Sequence, residues 1–132
     1  MTKKILLVDD RETMRTVLGD IFEGLGYKVV KASTGEEALG IVDKEMPNLV
    51  LLDTELDTIV PSGMIGFEVC RQIKQVKKLP IKVIIYTGTL GMVDALKARQ
   101  VGADDYIIKG EDTSLLVEMA EKMMRNVNDE NQ

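Results

Sequence analysis

The chain of 132 residues, with 45% hydrophobic and 30% charged residues, has the size and composition of one globular domain. Its formal net charge of -5 argues against direct binding to nucleic acid, because the phosphate backbone would be repelled. It contains no histidine, which excludes a histidine base, metal ligand or phosphoryl donor within the chain, and its single cysteine, Cys70, excludes an intramolecular disulfide.

No segment of the sequence is typical of a secretory leader or a membrane span. The apolar run after Lys3 and Lys4 covers only residues 5–8, and no stretch approaches the roughly 18 to 20 apolar residues of a spanning helix. We therefore expect a cytoplasmic protein with no membrane partner. Its single domain is expected over residues 1–127, followed by a polar C-terminal tail over 128–132, with no second domain.

Five short apolar runs alternate with amphipathic stretches, which is typical of repeated strand and helix units. The runs lie at residues 5–8, 29–30, 49–52, 83–85 and 106–108. Three of them are continuous and aliphatic, as expected for strands that helices cover on both faces.

Apolar residues spaced by three and four positions predict helices between these strands. The second helix should begin at the N-cap Thr34, with Glu37 three residues on, and end near Glu45; the fourth should span about residues 92–100. The expected apolar faces of the first, third and fifth helices are Met14, Val17, Leu18, Ile21, Phe22 and Leu25; Phe67, Cys70, Ile73 and Val76; and Leu115, Leu116, Met119 and Met123.

Five strands alternating with five helices predict a flavodoxin-like α/β fold, a doubly wound five-stranded parallel sheet in the order 2-1-3-4-5. In such a sheet, binding sites form at the carboxyl ends of the strands, near the point where the winding direction changes. The residues that follow the predicted strands are therefore the candidates for function.

Polar side chains follow four of the five strands. Asp9 and Asp10 come after the first strand, Asp53 after the third, Thr87 after the fourth and Lys109 after the fifth. Carboxylates brought close together raise one another's pKa values unless a cation lies among them. Mg²⁺ is a hard cation that prefers oxygen ligands, so the sequence predicts a magnesium site at this edge of the sheet.

The same edge of the sheet is suited to phosphoryl transfer. An aspartate oxygen there can attack phosphorus while the metal and Lys109 neutralise charge and the Thr87 hydroxyl binds a phosphoryl oxygen. Because the chain has no histidine, the donor must be another molecule.

Five features occur in order at the predicted strand ends: the pair Asp9–Asp10, Asp53, Thr87 with Gly88, Tyr106 and Lys109. In this set the sequence resembles the receiver domain of two-component response regulators, over residues 3–127. The resemblance implies that Asp53 accepts a phosphoryl group from a histidine kinase or phosphotransfer protein. It also implies that Asp10 ligates Mg²⁺ directly, Asp9 largely through water, and Glu55 through its backbone carbonyl.

The resemblance further implies an output surface. Thr87 and Tyr106 match the family's switch pair, in which the hydroxyl moves toward the phosphoryl group and the aromatic ring turns inward. The surface of helix 4, strand 5 and helix 5 would report this change to an effector protein. By likeness to stand-alone chemotaxis regulators, we expect a monomer or weak dimer. We also expect that the protein is not an enzyme and that its only chemistry is its own aspartyl phosphorylation and slow dephosphorylation.

Two features depart from the family pattern. The loop over residues 54–65 is longer than usual, with Pro61 and Gly66 as displaced counterparts of family residues. It is either a harmless insertion or a partner-specific or hydrolysis-tuning lip over the site, formed by Glu55, Leu56, Asp57 and Ile59. In the second case we expect the charges of Glu55 and Asp57 to raise the metal dependence of Asp53. Gly110 replaces the usual proline after Lys109. A cis bond there would cost about 2.5 to 4 kcal/mol, so we expect a trans approach of the lysine.

Three other functions compete with this interpretation. A degenerate receiver, acting as a phosphorylation-independent interaction module, is the main alternative. A haloacid-dehalogenase-type hydrolase needs a second aspartate two residues after its nucleophile, where this chain has Glu55. A flavodoxin-like electron carrier is disfavoured because Asp9 and Asp10 would repel the flavin phosphate.

Overall fold

Strands and helices alternate along the chain in the predicted order. The structure is a computed structural model that describes residues 2–54, 66–87, 92–108 and 113–130, without the side chains of 92–94 and 126–130. The strands are β1 (Lys4–Val8), β2 (Lys28–Ala32), β3 (Leu49–Asp53), β4 (Lys82–Thr87) and β5 (Asp105–Ile108), and the helices are α1 (Glu12–Gly24), α2 (Gly35–Glu45), α3 (Gly66–Arg71), α4 (Met92–Gln100) and α5 (Ser114–Glu130).

The described strands form one parallel sheet in the order β2-β1-β3-β4-β5. This confirms the predicted flavodoxin-like topology. The order places β1 and β3 side by side at the centre, where the winding direction changes, so their carboxyl ends lie together at the expected position of a site. The part of the chain that the structure describes contains no candidate membrane-spanning helix.

Side chains alternate along each strand and build two apolar layers, one on each face of the sheet. The layer against α1 and α5 contains Ile5, Leu7, Leu18, Phe22, Leu49, Leu51, Ile84, Tyr86, Leu116, Ala120 and Met124. The layer against α2, α3 and α4 contains Leu6, Val8, Ala38, Val42, Val50, Leu52, Val69, Cys70, Ile73, Val83, Ile85 and Ala98. Both faces of the central strands are buried, which explains their continuous aliphatic sequences.

Helix ends follow local sequence signals. The Thr34 hydroxyl accepts a hydrogen bond of 3.1 Å from the backbone N–H of Glu37, which confirms the predicted N-cap of α2. Helix α1 ends at Gly24, and Gly26 has a φ of +97°, a conformation that favours glycine. Helix α3 continues into a π-helical segment at Gln72–Val76.

Some predicted core positions are wrong. Val17, Leu25, Val76 and Leu115 are 43% to 59% exposed. Among the described side chains of α5, those that are buried are Leu116, Ala120 and Met124, at a spacing of four, so the buried stripe is narrower than the apolar stripe of the sequence. Helix α5 ends at Glu130.

Candidate functional site

Strand register brings the first and third strand ends together. Val8 lies opposite Leu52, so Asp9, the next residue, is directed to the end of β3, where Asp53 lies opposite Tyr86 of β4. Residues that face one another on neighbouring parallel strands share a face of the sheet. Asp9, Asp53 and Tyr86 therefore occupy one corner of the layer against α1 and α5.

Three carboxylates meet at this corner. Asp9, Asp10 and Asp53 each offer an oxygen, and these oxygens all lie within 4.8 Å of one another. Asp9 and Asp53 are 0% and 1% exposed, whereas Asp10 is half-buried. Buried carboxylates at this separation repel one another strongly, and an all-oxygen donor set of this kind suits Mg²⁺. The residues present therefore fit the predicted magnesium site.

Arg11 contacts the Asp9 carboxylate at both oxygens. Its backbone N–H and its Nε donate to Asp9 Oδ1 at 2.8 Å and 3.3 Å, and its Nη2 donates to Oδ2 at 3.3 Å. The hydrogen bond to Asp9, with attraction from Asp9 and Asp53, raises the pKa of the guanidinium. Arg15 lies one helical turn further on and donates to the backbone carbonyl of Asp9 at 2.6 Å. Arg11 thus contacts the carboxylate of Asp9, whereas Arg15 contacts its backbone, between β1 and α1.

Tyr86 provides a second buried donor to the same carboxylate. Its hydroxyl donates to Asp9 Oδ2 at 2.7 Å, and the residue is 1% exposed. Burial raises the pKa of Tyr86 well above its ordinary value, and the charge of Asp9 raises it further. The hydroxyl therefore stays protonated and fixes the orientation of Asp9.

Gly66 allows α3 to begin directly against the end of β3. A Cβ atom at this position would lie 2.3 Å from the carbonyl oxygen of Asp53 and 2.8 Å from the Cα of Thr54. Both contacts are with backbone, which cannot move aside as a flexible side chain can. Only glycine fits here without displacing the strand end that carries Asp53.

Comparison with known proteins identifies the family. A family model for the response regulator receiver domain matches residues 5–121. The chain belongs to this family. It is 40% identical over 109 residues to the alkaline phosphatase synthesis transcriptional regulatory protein PhoP of Bacillus subtilis, covering 83% of this chain and 43% of that protein. It is 38% identical over 107 residues to the probable transcriptional regulator ycf27 of Cyanophora paradoxa, covering 81% of this chain and 42% of that protein.

This receiver domain thus spans less than half the length of the curated relatives it matches. Two solved structures are similar over nearly their whole length. The response regulator receiver domain protein (CheY-like) of Methanospirillum hungatei has a TM-score of 0.87 and 28% identity, covering 98% of this chain and 99% of that chain. The response regulator TrrA of Thermotoga maritima, in complex with Mg²⁺-BeF, has a TM-score of 0.79 and 32% identity, covering 92% and 99%.

Receiver domains are signalling domains rather than classical enzymes. In this chain, the two residues of the expected switch, Thr87 and Tyr106, lie on one face of the sheet. Thr87 ends β4 and is buried. Tyr106 lies opposite Ile85, two residues before Thr87, so its side chain is on the same face as Thr87. Tyr106 packs against the layer that faces α2, α3 and α4, and its hydroxyl oxygen is buried.

Several predicted residues of the receiver site lie outside the described residues. These are residues 55–65 of the long loop, which include Glu55, Asp57 and Pro61, together with Gly88, Lys109 and Gly110. The expected metal-ligating carbonyl of Glu55 and the trans approach of Lys109 therefore remain predictions.

Sequence reasoning did not find Arg11 or Tyr86 as part of the site. Arg11 carried a signal, because it is a cation directly after the Asp9–Asp10 pair. Tyr86 carried a weaker one: it precedes Thr87, and only the register between β3 and β4 shows that it faces Asp53.

Proposed function

We propose that this receiver domain accepts a phosphoryl group on Asp53 in a magnesium-dependent reaction. The observation that carries the proposal is the clustering of the Asp9, Asp10 and Asp53 oxygens within 4.8 Å. The donor in this proposal is a histidine kinase or phosphotransfer protein, because the chain has no histidine of its own.

The metal site would use the three carboxylates unequally. Asp10 is half-buried, and we assign it direct coordination. Both oxygens of Asp9 already accept hydrogen bonds from Arg11 or Tyr86, which supports a role through water. The backbone carbonyl of Glu55 completes the proposed set. When bound at such a site, Mg²⁺ would be coordinated by oxygen ligands and would neutralise negative charge.

In the transfer step, one carboxylate oxygen of Asp53 forms a bond to phosphorus. The bond between phosphorus and the donor's imidazole nitrogen breaks, and that nitrogen keeps the electron pair and takes up a proton. The Asp53 carboxylate lies buried at the end of β3, so the chain contributes mainly positioning. Lys109 would balance the charge of the transferred group, and the Thr87 hydroxyl would donate to one of its oxygens.

The output in this proposal is a change in the surface of α4, β5 and α5, transmitted by Thr87 and Tyr106. Each of the three elements carries an exposed large apolar side chain, namely Leu96, Ile108 and Leu115. Such side chains suit contact with a partner protein. The net charge of -5 also supports a protein effector over nucleic acid for this domain, although its relatives are named transcriptional regulators.

Intact-mass measurement after incubation with phosphoramidate or acetyl phosphate tests the proposal. Wild type is expected to gain one phosphoryl group in Mg²⁺ and none in EDTA, and Asp53→Asn none in either. Asp20→Asn, which changes an exposed aspartate of α1, is the matched control and should behave as wild type. A gain in Asp53→Asn equal to that of wild type would contradict the assignment. No gain in wild type would favour a phosphorylation-independent interaction module.

A further inference from the structure

The pocket of the three aspartates contains a cation supplied by the chain itself. The Arg11 guanidinium reaches both oxygens of Asp9, at 3.3 Å in each case. The two partners differ in exposure: the Asp9 side chain is 0% exposed, whereas that of Arg11 is 50% exposed. A buried carboxylate is thus paired with a cation that has solvent beside it.

This ion pair answers the electrostatic problem of the pocket. Carboxylates within 4.8 Å destabilise one another, and the cost is highest for the buried pair Asp9 and Asp53. A guanidinium on Asp9 offsets part of that repulsion by charge and by a planar fork of N–H donors that matches a carboxylate. Arg15 does not duplicate this contact, because it donates to the backbone carbonyl.

We propose that Arg11 is a resident counter-ion of the pocket and opposes Mg²⁺ binding by its positive charge beside the Asp9 carboxylate, so that this side chain sets the metal affinity of the receiver domain. The inference rests on the proposed metal site. Two cations attracted to the same group of carboxylates repel each other, and the half-exposed Arg11 side chain can move toward solvent more readily than the buried Asp9 can. Tyr86 holds Asp9 in place independently of Arg11, because its hydroxyl donates to Oδ2.

The size of the effect follows from charge. Repulsion between a unit charge in this pocket and a divalent ion, in a water-like environment and with physiological screening, changes metal affinity by about three- to tenfold. Replacement of Arg11 by a neutral residue should therefore tighten Mg²⁺ binding by that factor. The same replacement should destabilise the metal-free protein, because the repulsion among the aspartates is then less well compensated. The two effects have opposite signs.

The test measures Mg²⁺ affinity by isothermal titration calorimetry and the melting temperature in EDTA. For Arg11→Gln we expect a Kd about three- to tenfold lower than that of wild type, and a melting temperature lower by about 3 to 6 °C. Arg11→Lys keeps the charge but loses the planar fork, so its Kd should fall between the two. Arg15→Gln removes a neighbouring charge that does not contact the carboxylate, and its Kd should stay within about twofold of wild type.

The outcomes separate this inference from the proposed function. If wild type binds Mg²⁺ and Arg11→Gln binds it equally or more weakly, the inference is refuted. If Arg15→Gln tightens binding as much as Arg11→Gln does, a general charge effect replaces the specific one and the inference also fails. If neither wild type nor any variant binds Mg²⁺, the proposed metal site itself is wrong.

Discussion

Tyr86→Phe tests whether the buried hydroxyl stabilises the acidic pocket. The substitution removes one oxygen atom and keeps the ring that packs beneath α1 and α5. It deletes the 2.7 Å hydrogen bond to Asp9 Oδ2 between residues that are 1% and 0% exposed. A buried hydrogen bond to a charged group contributes about 1.5 to 3 kcal/mol, so the free energy of unfolding should fall by that amount.

The melting temperature should fall accordingly. With an unfolding entropy of about 2.1 cal/mol/K per residue, 132 residues give about 0.28 kcal/mol/K, which converts the loss to about 5 to 11 °C. The matched control is Tyr27→Phe, because the Tyr27 hydroxyl makes only a long contact of 3.5 Å with Glu121 Oε1 at a partly buried site. We expect less than about 1 kcal/mol for the control.

The pH dependence of this prediction has a definite sign. The pKa of Tyr86 is raised in the folded protein, first by burial and then by Asp9. Its contribution is complete below the unfolded tyrosine pKa of about 10 and is lost as pH rises toward the higher folded value. The difference between wild type and Tyr86→Phe should therefore be constant from about pH 6 to 9 and shrink above about pH 10.

Urea unfolding followed by circular dichroism in EDTA supplies the free energies. The reasoning is refuted if Tyr86→Phe loses no more stability than Tyr27→Phe. It is also refuted if the difference between wild type and Tyr86→Phe grows above pH 10, since that would mean that the folded state favours ionised Tyr86.

Two further predictions concern positions next to the site. Gly66→Ala should lower the free energy of unfolding in urea by about 3 kcal/mol, because its Cβ would meet the Asp53 carbonyl. The control Gly40→Ala in α2, where a Cβ has nothing within 4 Å, should raise the free energy of unfolding by up to about 1 kcal/mol. Equal effects of the two substitutions would refute the steric argument. Burial raises the pKa of the Cys70 thiol to about 12, so iodoacetamide at about pH 8 should label it only after unfolding, and rapid native labelling would contradict this.

The sequence predicted the sheet more completely than it predicted the helix faces. The alternation of strands and helices indicated a doubly wound sheet, for which the flavodoxin-like order was expected. The convergence of Asp9, Asp10 and Asp53 then follows from the parallel direction of its strands. The width of a buried stripe depends on how neighbouring helices pack. For that reason Val17 and Leu115 have the periodicity of core residues and are nevertheless exposed.

Site residues at the ends of strands could be predicted from the sequence, whereas the contacts that Arg11 and Tyr86 make with Asp9 could not. The aspartates end strands, so their convergence needed only topology. The contact of Tyr86 with Asp9 requires the register of β3 against β4, and the contacts of both Tyr86 and Arg11 require particular rotamers; single-sequence patterns contain neither. Arg11 adds a positive charge to the pocket and Tyr86 adds a hydrogen-bond donor. The sheet topology alone predicts neither contribution.

Location of the divalent ion by paramagnetic broadening tests the central claim most directly. Mn²⁺, added below one equivalent to ¹⁵N-labelled protein, should broaden the amide signals of Asp9, Asp10, Asp53 and Thr54 first. Excess Mg²⁺ should restore them, because both ions prefer oxygen ligands. The account is contradicted if these four amides stay sharp while signals at another acidic segment, such as that around Glu36, broaden in their place.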